Sequence, residues 1–134
     1  MERYVDGFVL PVPTENLDEY RELAAEAGSI WIDHGAIEYV EAVGDDLDPD
    51  VGGGSVVTFP ELVGTEPNET VIFSFIVYRS KEHRDAVNEA VMAQMGSEEH
   101  PEHASMPFEM GRMAYGGFRS IVDYENREAV VSQG

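Results

Sequence analysis

Nine consecutive residues constrain this chain more than any other stretch: Thr70-Val71-Ile72-Phe73-Ser74-Phe75-Ile76-Val77-Tyr78. The run is too short to span a membrane and too rich in β-branched and aromatic side chains for a helix. With a period of two, Val71, Phe73, Phe75 and Val77 form one apolar face, and Ile72, Ser74, Ile76 and Tyr78 form the other. A strand that is apolar on both sides is covered on both sides. The stretch is therefore read as a central strand. Helices are expected on its odd-numbered face, and a second subunit or a ligand cavity on its even-numbered face.

The rest of the chain supplies partners for that strand. Tyr4 to Leu10 reads as a first strand, ended by Pro11 and Pro13, which cannot donate to a ladder. Asn16-Leu17-Asp18-Glu19 has capping-box spacing, with Thr14 as another candidate cap. Leu17, Tyr20, Ala24, Ala27, Trp31 and His34 then recur at spacings of three and four, which is one helix face. Gly28 on this helix permits a close approach, and Gly35 is a natural stop. Ala36 to Val43 reads as a second strand with Ile37, Tyr39, Glu41 and Val43 on one face. Residues 45–54 form an acidic, glycine-rich loop, 55–59 a short strand, and 60–69 a connection with one helical turn. After the central strand, Ser80 caps a second helix whose buried side is Ala86, Val87, Ala90, Val91 and Met95, with Gly96 at its end. A polar loop over 96–111 leads to a last strand over 112–123, broken or bulged at Gly116-Gly117.

The order β-α-β-(β)-β-α-β is the split βαβ pattern, so the expected fold class is α+β: a ferredoxin-like antiparallel sheet with two helices on one face. The other face, expected to carry Ile72, Ile76 and Tyr78, is apolar enough to mark an interface. The expected assembly is a homodimer joined through the open sheet faces, a dimeric α/β barrel.

A chain of 134 residues at 43% hydrophobic fits one domain with a sizeable core, here 1–134 with a loosely held tail from about 124. It has no cysteine, hence no disulfide framework and no thiolate chemistry. No apolar leader opens it and no stretch reaches membrane-spanning length, which predicts a cytoplasmic protein without a membrane partner. Its 27 acidic residues against 8 basic ones give a net charge of −19. One reading is adaptation to multimolar salt, where the Debye length falls to about 3 Å and a dense carboxylate surface stays hydrated. The other is an acidic surface for a basic partner. The acids are spread along the whole chain, which favours salt adaptation. Either way a phosphate backbone is disfavoured, so no nucleic acid partner is expected.

Several runs carry a resemblance. These are Tyr4 to Pro13, Gly35 to Glu41, Arg84-Asp85-Ala86-Val87-Asn88, and Met106-Pro107-Phe108 followed by Arg112 to Phe118. Together they resemble, over about residues 4–123, the YbaA-like domain family of unknown function. That resemblance implies membership of the dimeric α/β-barrel superfamily, with its antibiotic-biosynthesis-type monooxygenases, chlorite-dismutase-like proteins and stress-responsive barrels. It implies no reaction and transfers no catalytic residue. The chain departs from the family in its acidic 45–54 loop and in an acidic insertion over 96–102, which read as salt adaptation.

Candidate chemistry stands beside a plainer reading in each case. His34 ends the first helix face, either as an acid/base group or as a residue that bonds a terminal carbonyl. Tyr39 and Glu41 on the second strand, Asp6 on the first, Ser74 and Tyr78 on the central one, and Arg112 and Tyr115 on the last could surround an apolar cavity. A carboxylate there needs a partner, and Arg112 is the expected one. The set His34, Tyr39, Glu41, Ser74, Tyr78, Arg112 and Tyr115 is the candidate ligand site, with a structural network at the dimer interface as the plainer reading. No tightly held cofactor is expected; haem on His34 or His83 is a minor alternative, and His83 otherwise reads as a surface residue. His100-Pro101-Glu102-His103 with Glu98 and Glu99 reads as an exposed acidic loop rather than a zinc site. Asp46, Asp48 and Asp50 lack the glycine and the twelfth acid of a calcium loop, so no metal site is expected. Met106, Met110 and Met113 near Phe108 fit a pliable pocket or plain core packing.

The expected function is a small-molecule-binding dimer whose pocket lies between the first helix and the open sheet face. The alternatives are a cofactor-independent monooxygenase or isomerase on an aromatic or polyketide-like substrate, and a structural dimer without ligand.

Overall fold

The computed structural model describes residues 2–97 and 106–125. Seven elements follow in order: β1 (Tyr4–Pro13), α1 (Leu17–Asp33), β2 (Glu38–Val43), α2 (Phe59–Val63), β3 (Glu69–Tyr78), α3 (Lys81–Ser97) and β4 (Ala114–Arg119). Short 3-10 turns at Thr14–Asn16 and Met110–Arg112 precede α1 and β4. The strands form one antiparallel sheet in the order β2-β3-β1-β4. The long apolar run is indeed central, paired on one side with β1 and on the other with β2.

The two sides of β3 are assigned the other way round from the sequence expectation. Ile72, Ser74, Ile76 and Tyr78 lie beneath the helices, each at most 5% exposed. They join Leu10 and Val12 of β1, Tyr20 and Ala24 of α1, and Val87 and Val91 of α3 in two adjoining core clusters. The odd-numbered face is the open one at its centre, around Phe73 and Phe75, although Val71 and Val77 at its ends are buried. There the register aligns Val5 and Val9 of β1, Val40 and Ala42 of β2, Phe73 and Phe75 of β3, and Ala114 and Phe118 of β4. Phe73 is 43% exposed and Phe118 62%. The polar groups on the even side had suggested a cavity there. In the fold the Tyr78 hydroxyl is satisfied by a covering helix, donating to Asn88 Oδ1 of α3 at 3.3 Å.

Other boundaries differ for local reasons. β1 runs through both prolines to Pro13. Arg3 O accepts from Ser120 N on the β4 side, and Thr14 N donates to Asn68 O on the β3 side. Odd-numbered residues of β1 thus face β4, whose pairing ends at Val9. Pro11 and Pro13 lie where no ladder bond is required of them. Residues 55–58 form no strand and join no edge of the sheet. Thr58 instead caps α2, its Oγ1 accepting from Glu61 N, with Pro60 in the first turn and Gly64 closing it at φ 66°. Phe59 then sets its ring edge against Phe73, covering one corner of the open face. β4 is shorter than expected and unbulged: Gly116 and Gly117 pair in register with Gly7 and Asp6. Asn16 makes no side-chain cap to α1; its Nδ2 donates to Pro107 O at 3.1 Å. Ser80 does cap α3, accepting from His83 N at 3.0 Å.

Candidate functional site

A cleft of about 640 Å³ opens between α1 and the edge strand β2. Its walls are mainly apolar, including Leu17, Ala24 and Ile32 of α1, Val43 of β2 and Ile72 of β3. Burying an ionised group in such walls is costly unless it is hydrogen-bonded. Glu41 meets that condition through two phenols: Tyr20 OH donates to Oε1 at 2.7 Å and Tyr39 OH to Oε2 at 2.8 Å. Burial, reinforced by the Glu41 charge, pushes both phenols well above the usual tyrosine range, so both remain donors.

Each member is placed by ordinary local geometry. Tyr39 and Glu41 are two apart on β2 and so share a face. Tyr20 sits on the buried stripe of α1 and packs edge-on to Phe108, ring centroids 5.6 Å apart. Gly28 lets α1 approach the Tyr39 ring: a Cβ there would lie 2.7 Å from Tyr39 Cδ1. Ser74 lies directly across from Glu41 on β3 and is buried.

The remaining expected residues are distributed elsewhere. Glu41, Ser74, Phe8 and Tyr115 form one row across the helix-covered face. Glu41 and Tyr115 stand at its two ends, three strand spacings or about 14 Å apart. Tyr115 stacks on Phe8 at 4.8 Å and accepts from Arg84 Nη1 at 3.1 Å. That same nitrogen donates to Asp6 Oδ1 at 2.7 Å, an ion pair with a side chain only 2% exposed on the acidic side. Burial raises the Asp6 carboxyl above its usual range, while Arg84 and the Tyr115 and Tyr78 hydroxyls pull it back down. Asn88 Oδ1 accepts from Tyr78 OH and, at 3.2 Å, from Trp31 Nε1.

Arg112 is the clearest departure. It partners neither Glu41 nor Asp6 but clamps Glu69 through both guanidinium ends, at 2.7 and 2.9 Å, and donates to Gly64 O at 2.8 Å. It lies in the turn before β4 and ties the end of α2 to the start of β3, holding the Glu69 carboxyl below its usual range. His34 ends α1, but its Nε2 lies 2.6 Å from Gln94 Oε1 of α3 rather than on a terminal carbonyl. His83 is half-buried rather than free on the surface: Nδ1 accepts from Arg79 N at 2.9 Å and the ring meets Tyr78 edge-on. Neither histidine lines the cleft. Phe108 and Met113 pack on the core, whereas Met106 and Met110 are exposed. Asp50 closes a tight turn by accepting from Gly52 N. No group of three metal-ligating side chains gathers among the described residues, and the 98–103 cluster lies outside them. No helix among the described residues is long and apolar enough to cross a membrane.

Tyr20 and Arg84 escaped the sequence reading. A tyrosine on a buried helix stripe needs an acceptor for its hydroxyl, and the only acid on the facing strand side was Glu41. That reasoning could have paired them. Arg84, in the first turn of an exposed-looking helix, carried no such signal.

The family described as a protein of unknown function, DUF1428, matches residues 3–110. The uncharacterized protein YbaA of Escherichia coli K12 is 47% identical over 121 residues, covering 90% of this chain and 98% of its own. The uncharacterized YbaA of Shigella flexneri matches to the same extent. Among solved structures, a dimeric ferredoxin-like protein from an uncultured marine organism superposes with a TM-score of 0.55 at 7% identity, over 94% of this chain and all of its own.

Proposed function

Because the chain belongs to the DUF1428 family of unknown function, its role is sought in its own side chains, and we propose that it is a small-molecule-binding protein. The cleft between α1 and β2 is the binding site. The observation that carries this reading is Glu41, whose two oxygens are each held by a phenol inside an apolar cleft of about 640 Å³. That volume lies within the range of ordinary ligand pockets. A carboxylate retains lone pairs after accepting two hydrogen bonds. The ligand class is a largely apolar molecule carrying one hydroxyl, amide or amine donor for Glu41. A cofactor-independent monooxygenase or isomerase would use the same cleft, but a carboxylate pinned by two phenols is better suited to holding a donor than to moving.

We also propose that two copies join through the open faces of their sheets. The row of Val5, Val9, Val40, Phe73, Phe75 and Phe118 supports this, as does the dimeric state stated for the marine ferredoxin-like protein. The cleft lies on the helix-covered side, so this pairing would leave its lining in place. The net charge of −19 supports adaptation to high salt as the setting in which this dimer is soluble and folded.

Backbone NMR spectra recorded against a fragment set of aromatic alcohols, amides and amines test the binding reading. Binders should shift the amides of Tyr20, Gly28, Tyr39 and Glu41, and Ala25→Trp, which fills the cleft from α1, should abolish the shifts. A set without binders at millimolar concentration, or shifts unaffected by Ala25→Trp, would favour the structural dimer without ligand.

A further inference from the structure

The eight basic residues of this acidic chain are not scattered as its acids are. The register places Tyr4 beside Tyr78 and Arg119, so the start of β1 and the ends of β3 and β4 meet at one end of the sheet. α3 starts there too, three residues after Tyr78. Arg3, Arg79, Lys81, Arg84 and Arg119, five of the eight, therefore collect at that end. Two are neutralised. Arg3 holds Asp123 at 2.8 Å with Glu38 at 3.6 Å, and Arg84 holds Asp6 and Asp85 at 2.7 and 2.8 Å. Lys81, the only lysine, and Arg119 have no carboxylate within 4.0 Å among the described residues.

These two cations share a second cavity of about 540 Å³, lined also by Arg3, Tyr4, Ser80 and Phe118, with Glu2 as its one acid. Tyr4 is fixed from its ring face by the Arg84 guanidinium, 4.9 Å from the centroid. It is fixed from below by Gly117, where an added Cβ would come within 2.8 Å of Tyr4 Cε2. A protein of charge −19 repels anions over most of its surface, and concentrating unpaired cations in one concave place reverses that locally. The cavity is far larger than a bare oxyanion needs, and the edge of the Tyr4 ring, on the same sheet face as Arg119, offers an apolar wall for the remainder.

We propose that this cavity is a binding site for a small organic anion, separate from the α1–β2 cleft. Its phosphate or carboxylate head would lie between Lys81 and Arg119, and its flat apolar body along the edge of Tyr4. The site does not depend on the reading of Glu41.

The test is an amide NMR titration of the whole chain at constant ionic strength with phenyl phosphate, benzoate and inorganic phosphate, each against chloride. Saturable shifts at residues 80–82 and 117–119 are expected, stronger for the two aromatic anions than for inorganic phosphate. Phenyl phosphate outranking benzoate would assign a phosphate head, and the reverse a carboxylate. Lys81→Glu and Arg119→Glu should each weaken binding about tenfold or more, since every tenfold is about 1.4 kcal/mol of lost contact. Lys81→Gln should fall between wild type and Lys81→Glu. The double variant Met92→Glu/Ala93→Glu adds the same two negative charges to the exposed side of α3 and should leave binding within about twofold. Shifts that follow total salt, that survive both charge reversals, or that vanish equally in the α3 control would overturn the site.

Discussion

The Asp6–Arg84 pair is the most demanding side-chain arrangement in the molecule. Asp6 is almost wholly buried on β1 and Arg84 nearly so on α3, so the pair exists only because each neutralises the other. Replacing such a pair by apolar groups is often harmless, but removing one partner strands a buried charge at a cost of about 3–5 kcal/mol. Arg84→Met should lower unfolding free energy by about that much at pH 7 in denaturant titrations. The loss should shrink toward acid. Asp6 already has a folded-state carboxyl raised by burial, and without Arg84 it is raised further. A raised carboxyl contributes stability below its unfolded value and loses it as pH rises through the folded one. A deficit that grows toward acid would mean that Asp6 is not the group left unpaired. Asp6 was visible in the sequence as a polar residue in a strand. Its partner was not, because the choice between Arg84 and Arg112 depends on which end of β3 each reaches. Tyr39 and Glu41 were legible as one face of β2, since period two alone puts them together. Tyr20 completes the site from α1 only through packing across 20 residues of chain.

At the scale of elements, the helix–strand contact at Gly28 decides the shape of the cleft. An alanine at Gly28 would gain about 1 kcal/mol of helix propensity. Its Cβ would also press on the Tyr39 ring, and overpacking of this kind costs about 1–3 kcal/mol. The second effect wins, so Gly28→Ala should lower the melting temperature and move the Tyr39 resonances. In a Tyr39→Ala background the clash is gone, and the same substitution should stabilise. A Gly28→Ala change that stabilises the wild-type chain would show that the ring yields freely. Element order and type were well encoded: the helix stripe of α1, the Ser80 cap and the apolar run of β3 all stand. The face of β3 that meets the helices was not, because both faces are apolar and periodicity has no sign. The cue that misled was polarity. Ser74 and Tyr78 looked like cavity residues, whereas helix side chains satisfy Tyr78 in the core. Val56 and Val57 looked like strand residues by propensity, but propensity alone makes no strand, and this exposed segment pairs with no edge of the sheet.

For the whole molecule, the open face carries the proposed assembly. Phe73→Glu or Phe118→Glu should shift the species seen in analytical ultracentrifugation from dimer to monomer while leaving the helical circular dichroism unchanged. A monomeric wild type, or variants that remain dimeric, would move the interface elsewhere. The charge predicts a second whole-molecule behaviour. With 27 acids against 8 bases, dilution from multimolar to low salt should lower the melting temperature steeply as screening is lost. A melting temperature flat across that range would remove salt adaptation as the meaning of the composition. The cleft was least legible, because it depends on where β2 and α1 leave a gap, and gaps have no sequence pattern.

The two prolines of β1 have a consequence for life at high concentration. Beyond Val9, where β4 stops, the outward positions of that edge are residues 11 and 13. Neither can offer an amide hydrogen, so this stretch presents acceptors without donors. A foreign strand that tried to extend the sheet there would find half of its hydrogen bonds missing. Growth of the sheet from molecule to molecule, the first step toward fibrous aggregates, is blocked along this stretch, where Pro11 is also buried by its own chain. The end of β1 that β4 does not reach is thereby closed to edge-on addition, and the outer edges of β2 and β4 are left as the rims of the sheet.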